Sequence, residues 1–244
     1  MTMIRQCKNC GRIFSINISK KRLARGWGAF CSKVCVRQWK DNQIPDMNDD
    51  LAYMIGVILG DGYTINKRYP YLNVYRIGLT TKDKEFALAF KTAQQNLGLK
   101  SRLNQLKNGR NKQLYVVDAN NRGLTKWICN LDECKIENLM VEKALAVAFI
   151  KGFYDSEGDF ARLRLQIRIS NTNLSKLKLV NKLLERFLNI KGHVILQKPS
   201  KMHYGKKDVY RLGIYKQADT LKFLQTVGSN IPRKTIPNID QICL

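Results

Sequence analysis

Histidine is almost missing from this chain: His193 and His203 are the only two in 244 residues. That scarcity excludes nucleases built on a catalytic histidine with histidine metal ligands, and it leaves no Ser-His-Asp arrangement to propose. Acidic residues are scarce too, 19 Asp+Glu against 43 Lys+Arg, for a net charge of +24. Solubility needs far less than that, so a polyanion is the natural partner. A membrane surface is the competing partner, but the basic residues are spread along the chain rather than gathered on one amphipathic helix. The apolar stretch Leu51–Gly60 falls well short of the roughly 20 residues a bilayer span requires. Met1–Lys8 has no apolar export segment, and the expectation is an intracellular protein, with cytoplasm or organelle left open.

Seven cysteines, an odd number, argue against a disulfide framework and for a reduced compartment. Four of them, Cys7 and Cys10 followed by Cys31 and Cys35, have spacings able to wrap one tetrahedral Zn²⁺, with Gly11 easing the turn after the first pair. A segment of this size has almost no core, so the metal would supply its folding energy. Four unrelated reduced thiols are the competing reading. Residues 1–40 are therefore taken as a zinc-finger-like module. Its interior, from Lys20 to Gly28, mixes basic and aromatic groups as a surface touching a nucleic-acid backbone would. The turn-rich, acidic 41–50 is taken as a linker. Cys129, Cys134 and Cys243 are read as buried or incidental thiols.

Two stretches nearly a hundred residues apart organise the rest. Leu51-Ala-Tyr-Met-Ile-Gly-Val-Ile-Leu-Gly-Asp61-Gly62 and Ala148-Phe-Ile-Lys-Gly-Phe-Tyr-Asp-Ser-Glu157-Gly158 are both apolar runs ending in a small residue, an acid and a glycine. Each suits a buried helix, the first capped by Asp49 or Asp50 and ended by Gly62. Gly56 and Gly60 share one helix face, as do Gly152 and Ser156 in the other copy, and two such flat strips can pack closely. A pseudo-twofold pair would then bring Asp61 and Glu157 together at helix C-termini, where the macrodipole and mutual repulsion both disfavour negative charge. A divalent cation resolves the conflict, and few, hard oxygen ligands open to phosphate suit Mg²⁺. A buried helix pair whose acids merely end their helices is the alternative; finding the ending twice weighs against it.

The remaining pattern repeats as well. Strand Tyr71–Thr80, helix Asp83–Leu97, a hairpin over 101–106 and 113–118 turning on Lys107-Asn-Gly-Arg110, and a helix near 123–131 follow the first run. After the second, whose helix is expected from about Val141, come strand Arg162–Ser170, helix Asn173–Leu188, hairpin 193–197 with 209–215, and helix 218–227. A duplicated mixed α/β domain of αββαββα order follows, with repeats at 51–140 and 141–244. In Arg162–Ser170 the apolar residues Leu163, Leu165, Ile167 and Ile169 alternate with Arg162, Arg164, Gln166, Arg168 and Ser170. The second set carries the side chains that read base edges in a major groove. Tyr71, Asn73 and Tyr75 are the expected counterpart face in the first repeat.

The paired stretches resemble the motifs of single-chain LAGLIDADG homing endonucleases, with Met54–Gly62 and Ile150–Gly158 in the nine-residue frame. The second copy has acids at both places, Asp155 and Glu157, whereas the first has Asp61 but Leu59 at the earlier one. The resemblance covers roughly residues 49–244 and implies saddle-shaped β-sheets on double-stranded DNA, Asp61 and Glu157 as metal ligands, and a monomer. It also implies basic helpers near the acids, for which Lys82, Lys143 and Lys234 are the matching positions, Lys143 and Lys234 at equivalent points of the two repeats. The expected activity is Mg²⁺-dependent, site-specific cutting of duplex DNA by an intron-encoded enzyme, since the end Asp-Gln-Ile-Cys-Leu244 lacks the His-Asn of an intein. The alternative is a non-catalytic binder of the same fold, a splicing maturase acting on intron RNA or a DNA-binding regulator.

Overall fold

The computed structural model describes residues 2–68, 73–107, 113–197 and 208–236. Tyr71, His203, Cys243 and the hairpin turn beyond Lys107 lie outside them.

The chain opens on a hairpin of β1 (Thr2–Gln6) and β2 (Ile13–Asn17), followed by α1 (Lys20–Ala24) and α2 (Lys33–Asp41). Asp41 thus ends the module's last helix rather than starting a linker. The first repeat runs α3 (Asp49–Leu59), β3 (Tyr63–Arg68), β4 (Asn73–Thr81), α4 (Lys84–Asn96), β5 (Arg102–Lys107), β6 (Gln113–Asn120) and α5 (Arg122–Cys129), with α6 (Glu133–Leu139) added at its end. The second runs α7 (Lys143–Glu157), β7 (Gly158–Ala161), β8 (Gln166–Asn171), α8 (Leu174–Leu188), β9 (His193–Gln197), β10 (Val209–Ile214) and α9 (Gln217–Thr226), then a 3-10 turn at Pro232–Lys234. Each repeat builds one four-stranded antiparallel sheet, in the orders β3-β4-β6-β5 and β7-β8-β10-β9. The expected αββαββα duplication is what the chain adopts. No helix among the described residues is long and apolar enough to cross a membrane.

Every residue of α3 from Leu51 to Val57 is buried. A helix apolar on all sides belongs inside a core, and α3 with α7 forms the seam on which both repeats close. Its N-terminus is capped by Asn48, whose side chain accepts from the Leu51 amide at 2.9 Å, while Asp49 and Asp50, expected as caps, lie in the first turn. There they still face the positive end of the helix dipole. The apolar faces of the sheets supply Ile77 and Leu79 from β4, Val117 and Ala119 from β6, Ile167 and Ile169 from β8, and Leu212 and Ile214 from β10. Helix α4 covers the first with Phe86 and Phe90, and α8 covers the second with Leu177, Val180 and Leu184.

The expected long strand Arg162–Ser170 is corrected. Its first half is a turn: Arg162–Arg164 form a 3-10 element and Leu165 takes a left-handed conformation with φ 47. This turn lets β7 pair antiparallel with β8, Asp159 opposite Arg168 and Phe160 opposite Ile167. Leu163, expected in the core, is 103% exposed, and Arg162 donates backwards to the carbonyls of Pro232 and Thr235 at 3.4 and 3.3 Å. Alternation continuing through a turn looks like a strand in sequence; only the pairing with 158–161 reveals the reversal.

Candidate active site

The small-residue strips meet as their positions suggest. A Cβ on Gly56 would lie 2.1 Å from the Phe149 carbonyl oxygen, and one on Gly152 would lie 2.2 Å from that of Tyr53. Backbone therefore packs directly on backbone, which only glycine permits at these two points. Toward the C-terminal ends, a Cβ on Gly60 would stand 2.4 Å from Ser156 Cβ and 3.2 Å from Glu157 Cγ. Asp61 follows Gly60 at once, so both acids emerge at the same end of the pair. Each is accessible to solvent.

The electrostatics reflect that closeness. Burial first, then the negative charge of Asp61, pushes the Glu157 carboxyl up to about 7, against the opposing pull of Asn171, Lys176 and Lys234. Burial also raises Asp61, with Lys234 pulling the other way. Asn171 Nδ2 donates to Glu157 Oε1 at 2.7 Å. Two lysines face the negative helix ends: Lys176 Nζ donates to the Leu59 carbonyl at 2.6 Å, and Lys234 Nζ donates to those of Tyr154 (3.1 Å) and Asp155 (2.6 Å). Lys234 is only 3% exposed, and burial lowers its ammonium to about 8. Cations here offset the dipoles of α3 and α7 without neutralising the acids themselves.

The three expected helper lysines part company. Lys234 is inside the site. Lys82 is exposed just after β4. Lys143 is the first residue of α7, 15 residues long, and at 1.5 Å per residue that puts it about 20 Å from Glu157. It lines a surface hollow with Asp49 and Thr226 instead, so its equivalence to Lys234 does not hold. Asp155, the earlier acid of the second stretch, is a latch rather than a ligand: buried, it accepts from Tyr53 Oη at 2.9 Å, Ser229 Oγ at 2.5 Å and Asn230 Nδ2 at 2.8 Å. Asn171 stands in the second repeat where Thr81 stands in the first, beside the expected helper position, and it holds Glu157; Lys176 was missed. A side chain reaching across to another element's carbonyl leaves no local signal.

The outward faces of the sheets follow from strand parity. In β4 the buried Ile77 and Leu79 are odd-numbered, so the outward set is Val74, Arg76, Gly78 and Thr80. The expected face of Tyr71, Asn73 and Tyr75 is therefore one residue out of step in its described members. Tyr75 shares the inward parity and lies beneath α5, with the Arg122 guanidinium 5.2 Å from its ring centroid. In the second sheet Gln166 and Arg168 keep the outward parity of the expected strand, and Arg211 joins them opposite Ser170. Arg168 pairs with Asp159. Arg162 and Arg164, on the turn, leave that face. Arg76, Arg168 and Arg211 thus place three guanidinium groups on the outward faces of the two sheets, their Nε atoms buried.

In the module, the sulfurs of Cys7, Cys10, Cys31 and Cys35 all lie within 4.8 Å of one another, with Cys10–Cys31 at 3.6 Å and Cys31–Cys35 at 3.5 Å. Disulfides would need about 2.05 Å, whereas a tetrahedron with about 2.3 Å bonds to zinc has edges of about 3.8 Å. Burial would raise the Cys7 thiol, but amide hydrogens of Cys10, Cys31 and Asn9 outweigh it and lower Cys7 to about 6. Cys31, hydrogen-bonded to Cys35 and partly desolvated, rises to about 12. Four soft donors that cannot all ionise unaided fit one divalent cation. Cys129 and Cys134, expected to be buried or incidental, are exposed.

A family model described as a LAGLIDADG-like domain matches residues 48–135 and 144–228, one match per repeat. An uncharacterized protein of Methanocaldococcus jannaschii is 30% identical over 166 residues, 65% of this chain; the chain spans 61% of that relative's length. Homing endonuclease I-DmoI of Desulfurococcus mucosus is 27% identical over 190 residues, covering 73% of this chain and 87% of its own. The crystal structure of I-DmoI in complex with DNA and Mn superposes with a TM-score of 0.56 at 26% identity, over 74% of this chain and 96% of that one. The N-terminal LAGLIDADG domain of DUF199/WhiA shares the fold, with a TM-score of 0.54 at 18% identity over 83% of this chain and 91% of its own. With a model match to both repeats and the paired motif helices in place, the chain belongs to the LAGLIDADG-like domain family.

Proposed function

We propose that this protein is a site-specific endonuclease that cuts both strands of duplex DNA with Mg²⁺ held by Asp61 and Glu157, the homing enzyme of an intron. The observation that carries the reading is the meeting of two accessible, mutually repelling carboxylates at one end of the α3–α7 seam. Hard carboxylate donors at a site open to phosphate fit Mg²⁺. When bound, such ions activate water and stabilise the charge that develops on attacking and leaving oxygens. The chain's own part is to place one acid from each repeat, one near each strand. Asn171 orients Glu157, while Lys176 and Lys234 tie down the helix ends and add positive potential beside a scissile phosphate. Both acids come from one chain, so a monomer suffices. The outward arginines of the two sheets supply contacts to the flanking duplex.

The direct test is a supercoiled plasmid carrying the uninterrupted host locus. Protein with Mg²⁺ should linearise it, and EDTA should stop the reaction. Binding without nicking, unaltered by Asp61→Asn, would instead make the protein a non-catalytic binder.

For the module, we propose a structural Zn²⁺ on Cys7, Cys10, Cys31 and Cys35. Purified protein should carry about one zinc per chain by elemental analysis, since a single tetrahedral site uses four thiolates. Cys31→Ser should remove it and weaken DNA binding about equally on any sequence, because backbone contacts position and do not specify. Zinc content at background in the wild type would overturn this assignment.

A further inference from the structure

The module is locked to the first repeat. Asp41, the last residue of α2, sits between two cations of α5: Arg122 Nε lies 2.6 Å from its Oδ1 and Lys126 Nζ lies 2.9 Å from its Oδ2. All three side chains are largely withdrawn from water, where such pairs hold geometry better than at an open surface. Beneath them Gly123 lets the end of α2 settle onto α5, since a Cβ there would lie 2.6 Å from the Lys40 carbonyl oxygen. The position of Lys40 relative to the first sheet is therefore set by backbone contact.

This docking creates a cleft of about 530 Å³, lined by Lys40 and Gln43 on the module side and by Tyr75, Arg76, Asn120 and Arg122 on the other. Arg76 and Asn120 are opposite one another on β4 and β6, and both have the outward parity of the sheet. Through Arg76 and Asn120 the cleft adjoins the outward face of the first sheet, while Tyr75 and Arg122 close it from the α5 side. Asp41 is already engaged by Arg122 and Lys126, so Lys40 and Arg76 leave the cleft positive. The lining supplies ammonium, guanidinium and amide donors from Lys40, Arg76, Gln43 and Asn120.

We infer that this cleft holds a backbone phosphate of the duplex lying on the first sheet, gripped between Lys40 of the module and Arg76 of β4. The inference rests on the DNA-binding reading above. It makes the module a fixed extension of the first repeat's binding face, lengthening the contacted duplex on one side only. A phosphate is favoured over an acidic peptide because Arg76 and Asn120 of the lining belong to the sheet face where a duplex would run, and phosphate oxygens accept from guanidinium and ammonium alike.

The test uses the full zinc-loaded chain and a labelled duplex of about 40 base pairs of arbitrary sequence, followed by fluorescence anisotropy across a salt series. Lys40→Gln and Arg76→Gln should each weaken binding about 3- to 10-fold on any sequence, and each should reduce the slope of log K against log salt by about 0.9, the value for one lost phosphate contact. Lys178→Gln, on α8 behind the second sheet, should leave the slope unchanged. Independently, Gln43→p-benzoylphenylalanine should photo-cross-link to the duplex. Wild-type binding with a normal salt slope, combined with an unaltered slope in Lys40→Gln and no adduct from position 43, overturns the cleft assignment and leaves DNA binding standing. Absence of wild-type binding at any salt removes the DNA reading and the cleft together.

Discussion

Glu157→Gln is expected to lower the rate of strand cleavage by about three orders of magnitude or more, while duplex binding survives and the metal-free protein becomes more stable. A carboxylate that holds the metal supports several kcal/mol of transition-state stabilisation, and each 1.36 kcal/mol is a factor of ten. Binding survives because the outward arginines and the module lie elsewhere. Stability rises because Glu157 is held in a poor place for a charge: burial and Asp61 push its carboxyl from the ordinary 4.5 to about 7. The folded state therefore keeps this proton after the unfolded chain has released it. For that group, stability is fully present below about pH 4.5 and is lost as pH rises through about 7. Glutamine removes this slope. Thermal melts in EDTA at about pH 5 and about pH 8 should show the wild type losing ground to the variant at the higher pH. Asp61→Asn should be as inactive, and the double variant little worse than either single one, as expected of groups acting as a unit. Wild-type nicking by Glu157→Gln would sink the assignment of Glu157.

What could be read from the sequence was local or repeated. The two acid-glycine endings were visible as copies, and the hairpin of β9 and β10 matched its expected residues within one position, because alternation and turn chemistry are short-range. Strand β3 escaped notice because Tyr63-Thr-Ile-Asn-Lys-Arg68 is mostly polar; it is a strand because β4 pairs with it. The parity of β4 went wrong for a related reason. Tyr71, Asn73 and Tyr75 look like an aromatic, polar recognition face; of the two that are described, Asn73 is exposed at the strand's start, while Tyr75 shares the parity of the buried Ile77 and Leu79. In the site, Asp61 and Glu157 announced themselves, whereas Lys176 reaches the Leu59 carbonyl from 117 residues away. Such a contact exists only once α8 has packed against the seam. Lys143 failed in the opposite way, since equivalence along the chain did not survive a 15-residue helix pointing away from the acids.

Gly56→Ala is expected to be the most damaging single methyl in the molecule. The new Cβ would stand 2.1 Å from the Phe149 carbonyl oxygen and 2.9 Å from the Phe153 amide nitrogen, and neither is a side chain that can swing aside. Alanine favours a helix over glycine by about 1 kcal/mol, but the clash must be relieved by separating α3 from α7. Overpacking of this kind costs about 1–3 kcal/mol and at times more. At about 3 kcal/mol the midpoint should fall by roughly 6–12 °C for a chain of this size. Separation would also stretch the 2.9 Å bond from Tyr53 to Asp155 and re-space Asp61 and Glu157, so cleavage should fall further than the folded fraction does. Gly98→Ala provides the contrast: at φ +74 with open space around it, it carries a backbone cost of about 1–2 kcal/mol with no route to the acids, and its specific activity should match the wild type. If Gly56→Ala melts and cleaves as Gly98→Ala does, the two motif helices are not in backbone contact, and the close pairing that brings the acids together is wrong.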